Sequence, residues 1–401
     1  MYVKADGQWQ QFRPIVNHVA EHEIDGHLVY LLIGPVHNKW TEMFIRQRDL
    51  ATYEDAVLLE GRGVSGGVCI NCHAFAANDG RRMAVGLRGG SPGSAVILAA
   101  DTRVTKLATA FGYTAWHPSG RLAAYSTNKV RQFFHEAGPD VRDVVDLAAS
   151  LAYFRIEARM SKRVPGASDD QHLATYPTWS PDGRNLYFCR APRRWGEQET
   201  VPPERYAEVK YDLMRIAYDI EADRWGVPET ILSAEQTGLS ILLPRISPDG
   251  RFLLFCMCRY GCFPAFQAAS DLYLLDLAHG TYTKCPVNSE FSESWHSWSS
   301  NSRWIAFSSK RAGGTFTRCY LSFCDEFGQM HKPFLVPQRD PQLYDSLLKT
   351  ISVPELLAHP VAISPKALAS AARSGKAIAV EASPDAAPAE DNSVPYLQTG
   401  P

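Results

Sequence analysis

Two cysteines separated by two residues, with a histidine directly after the second, stand at Cys69, Cys72 and His73 in the stretch GGVCINCHAF. Thiols at this spacing reach the two vinyl groups of one haem and form thioether bonds, and the histidine that follows lies beneath the iron as an axial ligand. The same three residues also suit half of a zinc site, a redox disulfide, or a purely structural pair. Zinc requires two further ligands, commonly a second close pair. The segment CMCRYGC, with Cys256, Cys258 and Cys262, is the place to look for them. The spacing makes covalently bound haem c the favoured expectation.

Bulk composition narrows the setting. The chain has 401 residues, 45% hydrophobic and 21% charged, which suits a folded protein with a sizeable core. Its 41 Lys and Arg against 43 Asp and Glu give a net charge of -2, so nothing electrostatic argues for nucleic acid or anionic lipid as a partner. No apolar run approaches bilayer-spanning length. Nine cysteines are too few for a disulfide scaffold, and the odd count excludes complete pairing within the chain.

The elements that must position the motif are read from internal repetition. One phrase recurs as YTAWHPSGRLAAYS (113–126), YPTWSPDGRNLYFC (176–189) and LPRISPDGRFLLFC (243–256). Worn copies are WHSWSSNSRWIAFS (295–308) and CHAFAANDGRRMAVG (72–86), the last with one extra residue before its Asp-Gly. Each copy is a strand, a tight turn and a second strand, because Asp bonds its own backbone and Gly accepts positive φ. Third strands follow at 94–101, 212–219 and 270–277. Four short strands per repeat describe a propeller blade. With strands in HLVYLLIG and EDAVLLEG before residue 62, the blades number six. The expected architecture is an all-β, six-bladed β-propeller over 28–345, preceded by an extension (1–27). Residues 346–401 are expected to form a short helix in LYDSLLKTISVPELL and then a disordered Ala/Pro/Ser-rich tail. Long intervals between blades place insertions at 133–150 and 191–209 as surface loops.

The Trp-Ser-Pro-Asp-Gly phrases resemble the WD40-like propeller repeats of the TolB type. More narrowly, the phrases WHPSGRLAAYSTNKVRQFFH, YGCFPAFQAASDLYLLDL and SWHSWSSNSRWIAFSSKR resemble a bacterial branch of those propellers that carries an early Cys-x-x-Cys-His. TolB has a separate α/β domain ahead of its propeller. Here about thirty residues precede the first strand, so the resemblance does not carry TolB's envelope role across. What it implies is a module that binds peptides or proteins at the channel mouth.

In the repeat alignment His73 and His296 occupy equivalent places on the innermost strands of blades two and six, with Thr114, Pro177 and Pro244 in the others. Inner strands line the channel, so His296 is the expected second axial ligand to a haem iron held by Cys69, Cys72 and His73. The bland reading has His296 hydrogen-bonded in an aromatic cluster. Met330, in the loop GQMHKPF, is the weaker alternative ligand, and an open sixth position would instead permit peroxidase-like chemistry. His117 falls out of phase and reads as a turn support. Cys189 and Cys256 align with small residues in buried strands. GRGVSGG (61–67) lacks the Lys-Ser/Thr of a phosphate loop and reads as backbone room beside a porphyrin. Asp271 and Asp276 lie on opposite faces of a strand, so they form no carboxylate pair.

Two functions follow as expectations. One is a c-type haem protein for electron transfer or haem-based sensing, working with a redox partner protein. The other is a TolB-like module for envelope proteins or peptides, without haem. Haem attachment of this kind occurs outside the bacterial cytoplasm, so a periplasmic or envelope location is expected. MYVKADGQW has neither the basic nor the apolar region of an export signal, which places the expected native start upstream.

Overall fold

Alternating strands and tight turns close into a ring of sheets in the computed structural model, which describes residues 2–11, 19–34, 40–63, 68–89, 94–135, 142–196 and 200–382. Among these residues six sheets of four or five strands, antiparallel but for one added edge strand, form the blades. The innermost strands of blades two to six are Cys69–Ala76, Gly112–Trp116, His172–Trp179, Ser240–Ile246 and Glu293–Trp298. They coincide with the first halves of the five repeated phrases. Their tryptophans knit neighbours together: Trp298 Nε1 donates to the Arg245 carbonyl (3.0 Å) and Trp116 Nε1 to the Ala74 carbonyl (3.3 Å), each on the preceding blade.

The inner strand of blade one comes from the far end of the chain. Thr350–Leu357 pairs with His27–Ile33, which continues through Phe44–Asp49 to Asp55–Glu60. This corrects the expectation that the repeat pattern ends at 345 and gives way to helix. Within LYDSLLKTISVPELL only Leu343–Ser346 is helical. The segment TISVPELL is a strand that fastens the ring, because an open propeller would leave an unpaired edge on each side of the gap.

The chain beyond residue 357 is also built into the ring. Ala358 N and Ala362 N donate to the carbonyls of Asn78 and Gly80. Helix Pro365–Arg373, capped by the Ser364 side chain, buries Leu368 and Ala372 beside blades one and two. The buried Lys106 ammonium donates to the carbonyls of Ala372 (3.0 Å) and Ser374 (2.8 Å), answering the orphan acceptors at the helix end. Glu381–Ala382 then adds a parallel strand to the outer edge of blade three. The expected tail therefore does not begin at 346, and residues 383–401 lie outside the described residues.

Two further readings change. The turn of blade two uses Ala77 and Asn78, with φ of +51° and +56°, as a two-residue hairpin. Asp79 and Gly80 already belong to the second strand. Gly80 is required because a Cβ there would lie 2.3 Å from the Pro360 carbonyl oxygen. The expected loop at 133–150 is mostly strand: Leu122–Phe134 and Arg142–Arg155 pair well past the length of the other blades. Of the glycine-rich stretch at 61–67, residues 64–67 fall outside the described set.

Cutting the chain after Lys349 removes the strand that fastens blade one. We expect that variant to lose its cooperative thermal transition by far-UV circular dichroism. Leu368→Ala, which only thins the packing under the C-terminal helix, should keep the transition and cost about 2–4 kcal/mol in urea unfolding. A truncated chain that melts at the full-length midpoint would refute ring closure by this strand.

Candidate functional site at the channel mouth

Every inner strand carries a bulge at the same height. In blades two to five and in blade one, the register with the second strand skips so that two inner residues oppose one. Blade six skips a single residue, Trp295. The residue that takes up the slack in five blades is left-handed: Tyr113 (+44°), Tyr176 (+54°), Leu243 (+55°), Trp295 (+39°) and Val353 (+52°). None is glycine, and large or β-branched side chains rarely hold positive φ, at a cost of about 1–3 kcal/mol each. In blade two the bulge pair is Cys72 and His73.

These bulges, with the loops joining second to third strands, enclose a cavity of ≈ 360 Å³ at one mouth of the channel. That volume lies in the range of small-ligand sites. Cys69, His73 and His296 all line it, so three of the expected site residues share one cavity. Of the Cys72 side chain nothing is described. Met330 is not among the lining residues. It is buried against Cys285 and Cys324 in the body of the propeller, where it bridges to Cys324.

The two histidines differ in their chemistry. His296 Nε2 bonds the Leu254 carbonyl at 3.0 Å, and Nδ1 faces the Cys256 thiol at 3.8 Å. Both nitrogens are engaged within the sheets, in the hydrogen-bonded state of the bland reading but with a carbonyl and a thiol as partners in place of an aromatic cluster. His73 is 3% exposed, and neither ring nitrogen has a hydrogen-bond partner. The backbone of Val353 is close enough to favour its protonated form slightly but falls short of hydrogen-bond geometry. Burial dominates and pushes the His73 pKa down from 6.5 to about 4, and that of His296 to about 3. The Arg245 guanidinium acts in the same direction on both. Arg245 itself is paired with buried Glu355 at 2.7 Å.

The rest of the lining is aromatic and basic. Ring centroids of Tyr113 and Tyr176 are 4.2 Å apart, and Trp295 lies 5.9 Å from Tyr113 and 5.7 Å from Phe263. Tyr176 is anchored by its hydroxyl, which donates to the Cys262 carbonyl (2.6 Å). Four basic side chains, Arg88, Arg142, Arg245 and Lys310, line the cavity against one acid, Glu355. None of this panel except Trp295 stood out in the sequence. The available signal was the residue just before each Thr, Pro or His at the bulge.

The remaining expectations resolve simply. His117 supports its turn, bonding Ser119 Oγ (2.8 Å) and the Gly183 carbonyl (3.0 Å) of the next blade. Cys189 and Cys256 are fully buried thiols whose pKa burial raises. Cys258 and Cys262 donate separately to the carbonyls of Tyr260 and Val144. Among the described residues no group of three or more His, Cys, Asp or Glu is arranged to hold a metal ion. The second half of a zinc site is thus not assembled at CMCRYGC. No described helix is long and apolar enough to cross a membrane.

Below pH 6.5 the unfolded chain binds protons that folded His73 refuses down to about pH 4 and folded His296 down to about pH 3, so the stability they contribute should fall as pH drops through those windows and level off only below about 3. His73→Leu should flatten part of this slope and be neutral or stabilising at pH 7, since it removes a polar group with no partner. His296→Leu should cost about 1–3 kcal/mol at pH 7, because it breaks a buried hydrogen bond. Urea unfolding across pH decides the matter. Equal losses for the two variants would contradict the distinction.

No protein-family model matches the chain, and no curated protein matches it. Among solved structures, TolB from Acinetobacter baumannii superposes with a TM-score of 0.51 at 14% identity, covering 82% of this chain and 66% of that one. Hydrazine synthase from Kuenenia stuttgartiensis superposes with a TM-score of 0.50 at 11% identity, covering 84% of this chain and 48% of that one. This chain thus spans less than two thirds of either. At such identities the likeness is one of fold, and the fold is a six-bladed TolB-like β-propeller.

Proposed function

We propose that the chain is a binding module that grips a segment of a partner protein or peptide in the channel mouth. The carrying observation is the panel of Tyr113, Tyr176, Phe263 and Trp295, contributed by four different blades, with Tyr113, Tyr176 and Trp295 held by strained backbone. Aromatic side chains converging on a preformed concavity give large contact area at small conformational cost, and they dominate binding energy at interfaces. The cell envelope is the proposed location, in keeping with the resemblance to TolB-type repeats.

The test is selection of phage-displayed random dodecapeptides on the immobilised protein, with counter-selection on Ala265→Trp, which fills the cavity from its rim. Enriched peptides should bind the wild type and lose at least about tenfold in affinity on the filled variant by isothermal titration calorimetry. Selection of nothing, or of peptides indifferent to Ala265→Trp, rejects the reading.

One observation favours a second reading, haem c. A buried imidazole without a hydrogen-bond partner shares a cavity wall with Cys69, which suits an iron ligand beside a thioether. Cys69 and Cys72 would attach the group, His73 would ligate it, and His296 would remain in its sheet bonds. Bound haem would supply one-electron redox chemistry. Co-expression with a c-type maturation system behind an export leader should then give an intact mass one haem above the polypeptide and a pyridine haemochrome spectrum. Cys69→Ser with Cys72→Ser should abolish both. Bare polypeptide mass from a host that loads a control cytochrome eliminates haem.

A further inference from the structure

Charge in the cavity is lopsided. Arg245 is neutralised by Glu355, and among the described residues no other acidic side chain lines the wall. Arg142 opens the second strand of the long hairpin in blade three, and its guanidinium carbon lies 4.4 Å from the Phe266 ring centroid. Lys310, from blade six, places its ammonium 5.6 Å from the same ring. Two cations from different blades therefore converge on one aromatic ring at the rim. Burial lowers the Arg142 pKa, and among the described residues no carboxylate opposes that effect. Among the described residues Arg142 makes no ion pair. A part-buried guanidinium without a counter-ion is costly, and a planar fork of donors suits a carboxylate.

Resting on the binding reading above, we propose that the occupant presents a carboxylate to Arg142 and Lys310 over Phe266, with an apolar or aromatic group beside it against Tyr113 and Trp295. The partner segment is therefore acidic, with Asp, Glu or a free C-terminus next to a large apolar residue. The positions fit this division: the cations sit on loops and strand ends at the rim, and Tyr113 and Trp295 sit on the inner strands. Charge at the rim steers and orders the encounter, and the rings hold what arrives.

Peptides enriched by the mouth-directed selection supply the probes. Each is compared with its Asp→Asn, Glu→Gln and C-terminal amide forms on wild type and Arg142→Gln. Enriched sequences should be acidic beside an apolar residue, and Arg142→Gln should weaken them at least about tenfold, the scale of a hydrogen bond to a charged group. The amidated forms should be weak on wild type and nearly indifferent to Arg142→Gln. Wild-type affinity should drop as salt rises. Mouth-binding peptides that are neutral or basic, or that ignore Arg142→Gln, overturn the acidic partner and leave the binding reading intact. Benzoate against benzamide, followed by saturation-transfer NMR, tests the charge preference without any peptide. If benzoate alone binds and Arg142→Gln abolishes its signal while no peptide is selected, the occupant is a small free anion and the protein-segment proposal fails. Equal signals from benzoate and benzamide, or none from either, overturn the carboxylate itself.

Discussion

A left-handed residue in the middle of five of the six inner strands is the constraint on which the site depends. A regular strand sends alternate side chains into the sheet stack and away from it, and no side chain would face along the axis of the ring. The bulge breaks that alternation at one height. Tyr113, Tyr176, Leu243, Trp295 and Val353 are held at positive φ there, and the next residue, Thr114, Pro177, Pro244, His296 or Pro354, faces the channel. Because the strain recurs around the ring, it belongs to the architecture. The blade stack outweighs it through buried apolar surface and cross-blade bonds such as that of Trp298 to Arg245.

The same geometry explains why two histidines at equivalent positions behave differently. His296 lies beside Leu254 of blade five, whose carbonyl takes its Nε2 proton. His73 faces Val353 of blade one, across a seam closed by the C-terminal strand, and finds no bond of normal geometry. An unsatisfied buried imidazole is a departure from the near-complete pairing of buried polar groups. It gives His73 a claim on an incoming ligand that His296 lacks.

Much of the fold was legible, because turn chemistry and period-2 patterning are local signals. The five phrases mark the first two strands of blades two to six, and counting back from Trp179 locates the bulge position without any structure. The closing strand was missed because TISVPELL carries a proline and a glutamate and no Trp-Ser-Pro-Asp-Gly. At a bulge, however, proline forfeits no ladder bond, and Val353-Pro354 repeats Tyr176-Pro177 and Leu243-Pro244. The mouth was less legible: Phe266, Arg142 and Lys310 meet only through the circular arrangement of blades three, five and six. No sequence spacing encodes that proximity. The engagement of His296 was hidden for the same reason, since its partner belongs to another blade.

The pairing of Thr350–Leu357 with His27–Ile33 joins segments more than three hundred residues apart. Until the last strand arrives, the first blade exposes a row of open backbone donors and acceptors along the apolar run HLVYLLI. Such a row is a template for foreign strands. The newborn chain therefore passes through a stage in which it is most prone to misassociate, and only completion of the circle ends it. That exposure is a property of this topology rather than of any ligand.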